Sequence, residues 1–377
     1  MPPPTTDHLQ LRHARLRAAV DALTLDALVV THPPNIRYLT NHAGSAGTLV
    51  ATADAMHLLV DFRYREAVER IQASAAACPG LRVVDVPASY DEALLGCLQE
   101  IGVETVGFEA AHVSVAKHDW WQKTAHARGL SIGFRTTERV IEQLRMIKDA
   151  AEIAALRESA RRIRPVADAA FAAARAGVAE RQVAAAIEAA MRQAGYERPA
   201  FDTIVGSGPH SALPHYRAGD RVLTEGDLVV LDFGGVLDGY CSDLTRTVAI
   251  GSIAPEARRI YDAVLEAQRA AVGAVRPGVT TTEVDAAARG VLERHRLGPA
   301  FGHGTGHGLG LDVHEDPRIT KPRPDVEAIP LAPGMVFTIE PGAYVAGFAG
   351  VRIEDDVLVT ESGCEVLTDV PRELLTL

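Results

Sequence analysis

The chain has 377 residues, of which 47% are hydrophobic and 23% charged, and its formal net charge is -11. This length and composition are typical of a globular protein of two domains, and the negative charge disfavours a nucleic-acid partner, because phosphate binding requires a basic surface. No apolar run approaches the roughly 18 residues that cross a bilayer. The first residues, MPPPTTDHLQLRHARLRAAV, have prolines where a signal peptide has a charged start and an apolar core. We therefore expect a cytoplasmic protein without a membrane partner, whose cysteines, which form no CxxC pair, are reduced.

The first part of the chain alternates helix-like and strand-like segments. LRHARLRAAVDALTL and YREAVERIQASAA predict helices, whereas DALVVTH, GTLVATA and MHLLVDF predict strands. This alternation indicates a small α/β domain. Around VIEQLRMIKDAAEIAALRESARRI the composition changes to long Ala-rich helical stretches. We therefore predict two domains, at residues 1–146 and 147–377.

The second part contains an internal repeat. GVAERQVAAAIEAAMRQAG begins at Gly177 and GVTTTEVDAAARGVLERHRLG begins at Gly278. Each segment follows an Ala-rich helical stretch and precedes strand-like residues. This pattern predicts two related halves packed about a pseudo-twofold axis; the alternative is chance similarity between Ala-rich segments.

A pair of aspartates marks the next segment, DLVVLDFGGVLDGYCSDLTRTVAI, which predicts a β-hairpin that turns within Leu-Asp-Gly. A two-residue loop at Leu237-Asp238 would place Asp232 opposite Asp243, and one at Asp238-Gly239 would place Asp232 opposite Thr245. In both registers the two aspartates share one face, because side chains alternate with period two, whereas a three-residue loop would separate them. Carboxylates that face each other among apolar residues repel unless one is protonated or a cation lies between them. The pair therefore predicts a metal site.

Two glutamates and a glycine-rich segment extend this set. GMVFTIEPG ends an apolar strand with Glu340, and GVRIEDDVLVT places Glu354 inside a strand, with Arg352 on the same face. FGHGTGHGLGLDVHE, residues 301–315, carries three histidines in a segment that we predict to be a loop, because its alternating glycines make a helix unfavourable. Four carboxylates and one imidazole favour Mn, Co or Fe at two adjacent positions over a thiolate or three-histidine zinc site. Two such ions can lower the pKa of a water and stabilise a hydrolytic transition state.

These residues form the pattern of the pita-bread metallopeptidases: D-x10-D in DFGGVLDGYCSD, the His of HGTGHG, the Glu of TIEPG and the Glu of RIEDD. Over nearly its whole length the chain resembles the branch with an N-terminal α/β domain, aminopeptidase P and prolidase. The resemblance implies an α/β N-terminal domain followed by an α+β pita-bread (creatinase/aminopeptidase) catalytic domain. It also implies a homodimer.

The resemblance further assigns roles to the site residues. It implies two divalent metal ions, with Mn expected first and Co, Fe or Zn as alternatives. The implied metal ligands are Asp232, Asp243, His307, Glu340 and Glu354. The implied catalytic groups are His215, His314 and Glu340, the last as proton acceptor. The implied lining of a pocket for the proline ring is His303, Tyr344 and Arg352. His210 and Tyr216 are expected to shape the loop around His215.

The function expected from the resemblance is hydrolysis of peptides that have proline in second position. An Xaa-Pro bond is a tertiary amide without an N–H, so its recognition requires a dedicated pocket. NHAGSAGTLVAT followed by LLVDFRYREA resembles the N-terminal domain of aminopeptidase P, which we therefore place first, with prolidase as the alternative. Two remote alternatives are a metal-independent, creatinase-like amidinohydrolase and a non-catalytic peptide-binding module.

Overall fold

A computed structural model of the protein describes residues 3–324 and 327–377. Contacts between residues divide the chain into two units, Met1–Arg145 and Met146–Leu377. Within the described residues, no helix combines the length and the apolar composition that crossing a bilayer requires.

A mixed six-stranded sheet organises the first unit. Its strands are β1 Ala27–Val30, β2 Thr48–Thr52, β3 Met56–Val60, β4 Leu81–Asp85, β5 Thr105–Glu109 and β6 Gly133–Thr137. The helices of this part of the chain are α1 Thr6–Ala22, α2 Pro33–Thr40, α3 Phe62–Gln72, α4 Tyr90–Ile101, α5 Val115–Ala127 and α6 Val140–Met146. The strand order is β4-β3-β2-β1-β5-β6, with β1 parallel to β5 and antiparallel to β2.

The helices and strands predicted for this unit are present. DALVVTH, GTLVATA and MHLLVDF contain β1, β2 and β3, and every residue of these strands is buried. The helix predicted from YREAVERIQASAA begins two residues earlier than expected, at Phe62, because the Asp61 side chain accepts the Arg63 N–H and caps it. The predicted α/β character of this domain is confirmed.

The second unit is built from two helix pairs and their strands. The helices are α7 Ala150–Ala173, α8 Glu180–Gln193, α9 Pro255–Ala274 and α10 Thr281–Arg294, with short 3₁₀ helices at Gly208–Ala212 and Gly298–Ala300. The strands are β7 Arg198–Pro199, β8 Ile204–Ser207, β9 Leu228–Phe233, β10 Gly235–Leu237, β11 Tyr240–Cys241, β12 Leu244–Ala249, β13 Gly306–Gly308, β14 Glu315–Ile319, β15 Val336–Ile339, β16 Gly342–Val345, β17 Ala349–Arg352, β18 Asp355–Val359 and β19 Cys364–Val366. Strands pair in the orders β12-β9-β8, β14-β13-β15-β18-β19, β11-β10-β7 and β16-β17.

The internal repeat predicted from the sequence is present in the backbone. Gly177 and Gly278 precede the second helix of each pair, and both have positive φ, 89° and 86°, which glycine adopts without strain. Gly177 donates its N–H to the Leu223 carbonyl at 2.9 Å, and Gly278 donates to the Leu331 carbonyl at 2.8 Å. Each helix pair also packs its buried side chains on the sheet of its own half, α7 and α8 on β9 and β12, and α9 and α10 on β15 and β18. The two halves thus repeat the same helix-pair and strand arrangement.

The hairpin that carries the aspartates adopts the second of the two predicted registers. Leu237 pairs with Tyr240 around the turn, and Asp232 pairs with Thr245. The hairpin is interrupted at Gly234, where a Cβ atom would lie 2.1 Å from the Ser242 carbonyl oxygen. Its tip therefore belongs to a separate small sheet, while β9 and β12 stay paired below it.

Two expectations about strand positions were wrong. Glu354 does not lie inside a strand, because β17 ends at Arg352 and β18 begins at Asp355. The chain changes pairing partner there, and the Glu354 N–H donates to the Thr245 carbonyl at 3.1 Å. The glycine-rich segment is not entirely a loop, since residues 306–308 form β13 between β14 and β15.

A buried arginine joins these strands to the C-terminal segment. Arg246 on β12 is only 2% exposed. Its five N–H groups donate to the carbonyl oxygens of Thr245, Glu354, Val370 and Pro371 and to the Asp355 carboxylate. Every donor of the guanidinium group is satisfied, which is how such a group is accommodated in an interior.

Replacing this arginine tests its structural role. Arg246→Met removes one of the two cations that pair with the fully buried Asp355, the other being Arg372, and breaking a buried pair costs about 3–5 kcal/mol. We expect chemical denaturation to show a loss of that size in the free energy of unfolding. Arg258→Met, which breaks an exposed pair with Asp262, is the control and should cost at most about 1 kcal/mol. Equal losses for the two variants would contradict this role of Arg246.

Candidate active site

The predicted site residues converge on one cleft in the second unit, with a volume of about 740 Å³. Nine of them line it: His215, Asp232, Asp243, His303, His307, His314, Glu340, Arg352 and Glu354. The tenth, Tyr344, lies next to the cleft, where its hydroxyl hydrogen-bonds to both His303 and Arg352. Residues spread over 140 positions of sequence are therefore brought together by the two halves of the repeat.

A cluster of acidic side chains and one imidazole occupies the floor of the cleft. Ligand atoms of Asp243, His307 and Glu354 all lie within 4.8 Å of one another. The His307 Nε2 atom is 3.9 Å from the Asp243 Oδ2 atom and 3.4 Å from the Glu340 Oε1 atom. Asp232 extends from β9 and Glu340 follows β15, so each half of the repeat contributes one carboxylate from the strand after its helix pair.

The orientation of His307 leaves one ring nitrogen available to a metal ion. Its Nδ1 atom is 3.0 Å from the Gly308 carbonyl oxygen, which can only accept, so Nδ1 carries the proton and Nε2 presents its lone pair to the carboxylates. Burial, with a smaller contribution from His314, lowers the pKa of His307 to about 3. The imidazole is therefore neutral at physiological pH, as metal ligation requires.

Burial also opposes ionisation of the acidic groups. It raises the pKa of Asp243 and of Glu354 well above the usual range, and repulsion from neighbouring carboxylates raises both further. The pKa of Glu340 is raised to about 7, chiefly by burial and also by Asp232. Among the described residues, none donates a hydrogen bond to Oδ1 of Asp232 or of Asp243, although both atoms are buried. A divalent cation stabilises buried carboxylate oxygens that lie close together and receive no hydrogen bond. These residues therefore fit metal binding.

A chain of hydrogen bonds borders the cluster on the side predicted to hold proline. Arg352 donates to Asp232 and, at 2.8 Å, to the Tyr344 hydroxyl. The Nδ1 atom of His303 lies 2.7 Å from the Gly304 carbonyl and carries the proton, so its Nε2 atom accepts from the Tyr344 hydroxyl at 2.9 Å. Burial, and secondarily the charge of Arg352, lowers the pKa of His303 to about 4. The four side chains thus hold one another in fixed orientations.

The remaining two predicted histidines are exposed at the mouth of the cleft. The His314 ring centroid is 4.3 Å from that of His307, and the rings are inclined by 69°. His215 extends from the segment between the 3₁₀ helix at Gly208–Ala212 and β9. Both side chains are accessible to a molecule that enters the cleft and touches the acidic cluster.

The glycines around His307 are required by close backbone contacts. A Cβ atom at Gly306 would lie 1.8 Å from the Thr338 carbonyl oxygen, and one at Gly308 would lie 2.1 Å from the Asp316 carbonyl oxygen. Neither glycine has positive φ, so space rather than backbone conformation demands glycine at these two positions.

The sequence analysis missed four residues that complete the site. Thr245 donates its hydroxyl to Glu354 at 2.5 Å and accepts from the Arg352 Nε atom at 3.1 Å. Asp356 accepts the Asp243 N–H at 3.2 Å, and Arg318 and Arg323 line the cleft. Thr245 could have been found, because it is the residue opposite Asp232 in one predicted register. The two arginines follow the histidine segment and have no pattern that distinguishes them from surface residues.

Comparisons with known proteins agree with this geometry. Residues 154–361 match metallopeptidase family M24, and residues 12–147 match the creatinase/prolidase N-terminal domain. The Xaa-Pro dipeptidase of Pyrococcus furiosus is 37% identical over 368 residues, covering 97% of this chain and 99% of the relative.

Solved structures extend the agreement to the fold. The Xaa-Pro dipeptidase from Bacillus anthracis matches with a TM-score of 0.90 at 36% identity, covering 98% of this chain and 100% of that chain. The X-Pro aminopeptidase from Thermotoga maritima matches with a TM-score of 0.84 at 32% identity, covering 96% and 100%.

A pita-bread fold with a creatinase/prolidase N-terminal domain and a buried carboxylate–imidazole cluster defines a metallo-exopeptidase. The chain belongs to metallopeptidase family M24, as the resemblance of its motifs had indicated. Membership of this family implies bound divalent metal ions, and the cluster around Asp243, His307 and Glu354 is a candidate place for them.

Substitution at Gly306 tests the steric requirement around His307. Gly306→Ala places a methyl group against the Thr338 carbonyl, and overpacking of this kind costs about 1–3 kcal/mol. We expect thermal unfolding at a lower temperature and weaker binding of Mn in a titration. Gly302→Ala is the control, since no atom lies within 4 Å of its Cβ position. The steric explanation fails if the two variants unfold at the same temperature.

Neutralising one carboxylate tests the metal fit independently of activity. In a chelator, Asp243→Asn should unfold at a higher temperature than the native chain, because one of the mutually repelling buried groups has lost its charge. Added Mn should stabilise the native chain by about 2.7 kcal/mol at a hundredfold excess over its dissociation constant, and it should stabilise the variant far less. Asp238→Asn, in the turn of the same hairpin, should keep the response to Mn. An unchanged response in Asp243→Asn would show that this residue is not a ligand.

Proposed function

We propose that the protein is a metal-dependent Xaa-Pro dipeptidase. The observation that carries the proposal is the near full-length similarity to the dipeptidases of Pyrococcus furiosus and Bacillus anthracis, combined with the clustered acidic site. The sequence analysis placed aminopeptidase P first and prolidase second, and the comparisons favour the second. Aminopeptidase P stays the other candidate, because the X-Pro aminopeptidase of Thermotoga maritima has the same fold over 96% of the chain.

The proposed metal ligands are Asp232, Asp243, His307, Glu340 and Glu354. Bound divalent ions would supply Lewis acidity and a water of lowered pKa at the cluster. Manganese is proposed as the metal, since hard oxygen ligands with a single imidazole suit it. The expected homodimer and cytoplasmic location also stay predictions.

Three side chains of the cleft are proposed to transfer the proton and to stabilise the developing negative charge. Glu340, with a pKa near 7, is proposed to accept the proton of the attacking water at a carboxylate oxygen. His215 and His314, exposed at the mouth, are proposed to donate hydrogen bonds to the scissile carbonyl as negative charge develops on its oxygen. The nitrogen of an Xaa-Pro peptide bond carries no hydrogen. Recognition of the substrate therefore relies on its carbonyl group and its proline ring.

The ring is proposed to bind against His303, Tyr344 and Arg352. Their mutual hydrogen bonds orient these side chains before a substrate arrives, which reduces the entropy lost on binding. The aliphatic and aromatic parts of these side chains offer the proline ring apolar contact beside the acidic cluster.

Preference for dipeptides is proposed to come from two cationic side chains. Arg318 and Arg323 line the cleft that contains the acidic cluster. In a dipeptide the carboxylate adjoins the proline, and an arginine can bind it through charge-assisted hydrogen bonds. A tripeptide has a neutral amide at that position and extends beyond it.

The experiment measures hydrolysis of Ala-Pro, Ala-Pro-Ala and Ala-Pro amide by metal-stripped protein before and after addition of Mn. We expect no activity without metal. After addition of Mn, we expect cleavage of Ala-Pro with kcat/KM at least tenfold above those of the other two peptides, a difference of about 1.4 kcal/mol.

The controls separate the candidate functions. Ala-Ala in place of Ala-Pro tests whether proline is required. Preferential cleavage of Ala-Pro-Ala would instead identify an aminopeptidase P. Full activity in the presence of chelator, or none on any Xaa-Pro peptide with metal bound, would refute both candidates.

A further inference from the structure

A buried glutamate outside the cleft holds the loop that carries His215. Glu180 is the first residue of α8 and is 0% exposed. Its Oε1 atom accepts the Ser207 N–H at 2.8 Å, the Ser207 hydroxyl at 2.6 Å and His210 Nδ1 at 3.1 Å. Its Oε2 atom accepts the Gly219 N–H at 3.4 Å. One carboxylate therefore bonds to both ends of the segment 207–219 and to its interior.

The same contacts extend to the side chains that flank His215. Burial, and secondarily the neighbouring Glu180 carboxylate, raises the pKa of the Tyr216 hydroxyl. The Tyr216 ring lies against the His210 ring, with centroids 4.4 Å apart. Tyr216 lines the cleft beside His215, whereas Glu180 and His210 do not. The path from the buried carboxylate to the cleft thus runs through His210 and Tyr216.

The charge of Glu180 is satisfied by donors rather than by a direct ion pair with an arginine. Arg221 lies nearby, but its guanidinium group donates to Asp227 at 2.6 and 2.9 Å and to the Ser207 hydroxyl. Glu180 instead receives N–H and O–H groups at the start of α8, where the helix dipole favours a negative charge. A neutral amide could not replace it, because its NH₂ group would face a backbone N–H on either side.

The second half of the repeat anchors its own histidine segment in a similar way. Asp285 on α10 is 1% exposed and accepts the N–H and hydroxyl of Thr305 at 3.1 and 2.9 Å. It also pairs with Arg289, which donates to the His303 carbonyl at 2.9 Å. In each half, a buried carboxylate on the second helix of the pair fixes a segment that carries a substrate-facing histidine.

We propose that Glu180 is a positioning residue that fixes the 207–219 segment and thereby holds His215 in its working orientation over the cleft. The kinetic part of this inference rests on the proposed function, because it takes His215 as a group that acts on the substrate. The structural part concerns the order of the segment and is independent of any activity.

The test combines Glu180→Gln with a double-mutant cycle. Glu180→Gln should lower kcat on Ala-Pro by about 10–100-fold, the range found when supporting residues are removed, with KM within about twofold and bound Mn unchanged. In a His215→Ala background the same change should lower kcat less than about twofold, since the group that it positions is gone. In a His303→Ala background the full effect should persist. Glu188→Gln, an exposed glutamate on the same helix, is the matched control.

Hydrogen exchange gives a measurement that does not depend on catalysis. The amides of Ser207 and Gly219 should exchange faster in Glu180→Gln than in the native chain, while amides of β15 and β18 keep their protection. If the native protein cleaves no Xaa-Pro peptide, the proposed function fails, and this exchange measurement alone decides whether Glu180 orders the segment.

A milder pair of variants covers the case in which Glu180→Gln does not fold. His210 is half-buried, so its replacement is tolerated more readily than that of a fully buried group. His210→Leu removes one donor to Glu180 and should reduce kcat in the same direction, whereas His210→Gln retains an N–H donor and should restore most of it. Additive effects of Glu180 or His210 variants with His215→Ala, or unchanged exchange at Ser207 and Gly219, would overturn the proposal.

Discussion

The mutual repulsion of buried carboxylates is the constraint around which the second unit is arranged. Asp232, Asp243, Glu340 and Glu354 point into one cleft, and burial with repulsion raises the pKa of three of them. Such a cluster persists only where surrounding bonds hold each side chain in place. Thr245 holds Glu354, and Arg352 holds Asp232. Farther from the cleft, Arg246 donates a hydrogen bond to the Glu354 carbonyl oxygen. Hydrogen bonds from several strands therefore oppose the repulsion between the carboxylates.

The internal repeat explains how one chain brings these groups together. Gly226 and Gly334, with φ of 91° and 89°, occupy equivalent turns, and each donates its N–H to the end of the neighbouring strand. Asp232 and Glu340 each follow their glycine by six residues, at the end of the next strand. Two copies of one strand therefore bring two carboxylates to the same place. In the second copy, β13 pairs with β15 as β8 pairs with β9 in the first, and β13 supplies the imidazole.

The sequence predicted the parts of the site that obey local rules. Period-two alternation placed Asp232 and Asp243 on one face for both two-residue loops, so the choice between those two loops did not affect the conclusion. The sequence prediction failed at Glu354, because the chain changes its pairing partner there. Pairing partners are a property of the tertiary structure that periodicity does not encode. Glu180 was missed for a related reason. Its role depends on hydrogen bonds to residues 207–219, and in the sequence it is an ordinary first-turn glutamate of a helix.

The part of the cleft that would decide between a dipeptidase and an aminopeptidase is not the part that would hydrolyse the peptide bond. Under the proposed function the acidic cluster acts at the scissile bond, which both activities share, so its ligand pattern cannot separate them. The sequence-based preference for aminopeptidase P relied on residues 41–67, which belong to the first unit, whereas the described residues that line the cleft belong to the second. An enzyme distinguishes a dipeptide from a longer peptide at the position that follows the proline, where a dipeptide ends. A carboxylate there requires a cation, and a continuing peptide requires space and amide partners. Arg318, on β14, and Arg323, which follows it, line the cleft together with Arg217 and Arg352, and they are the cations proposed to meet a substrate carboxylate.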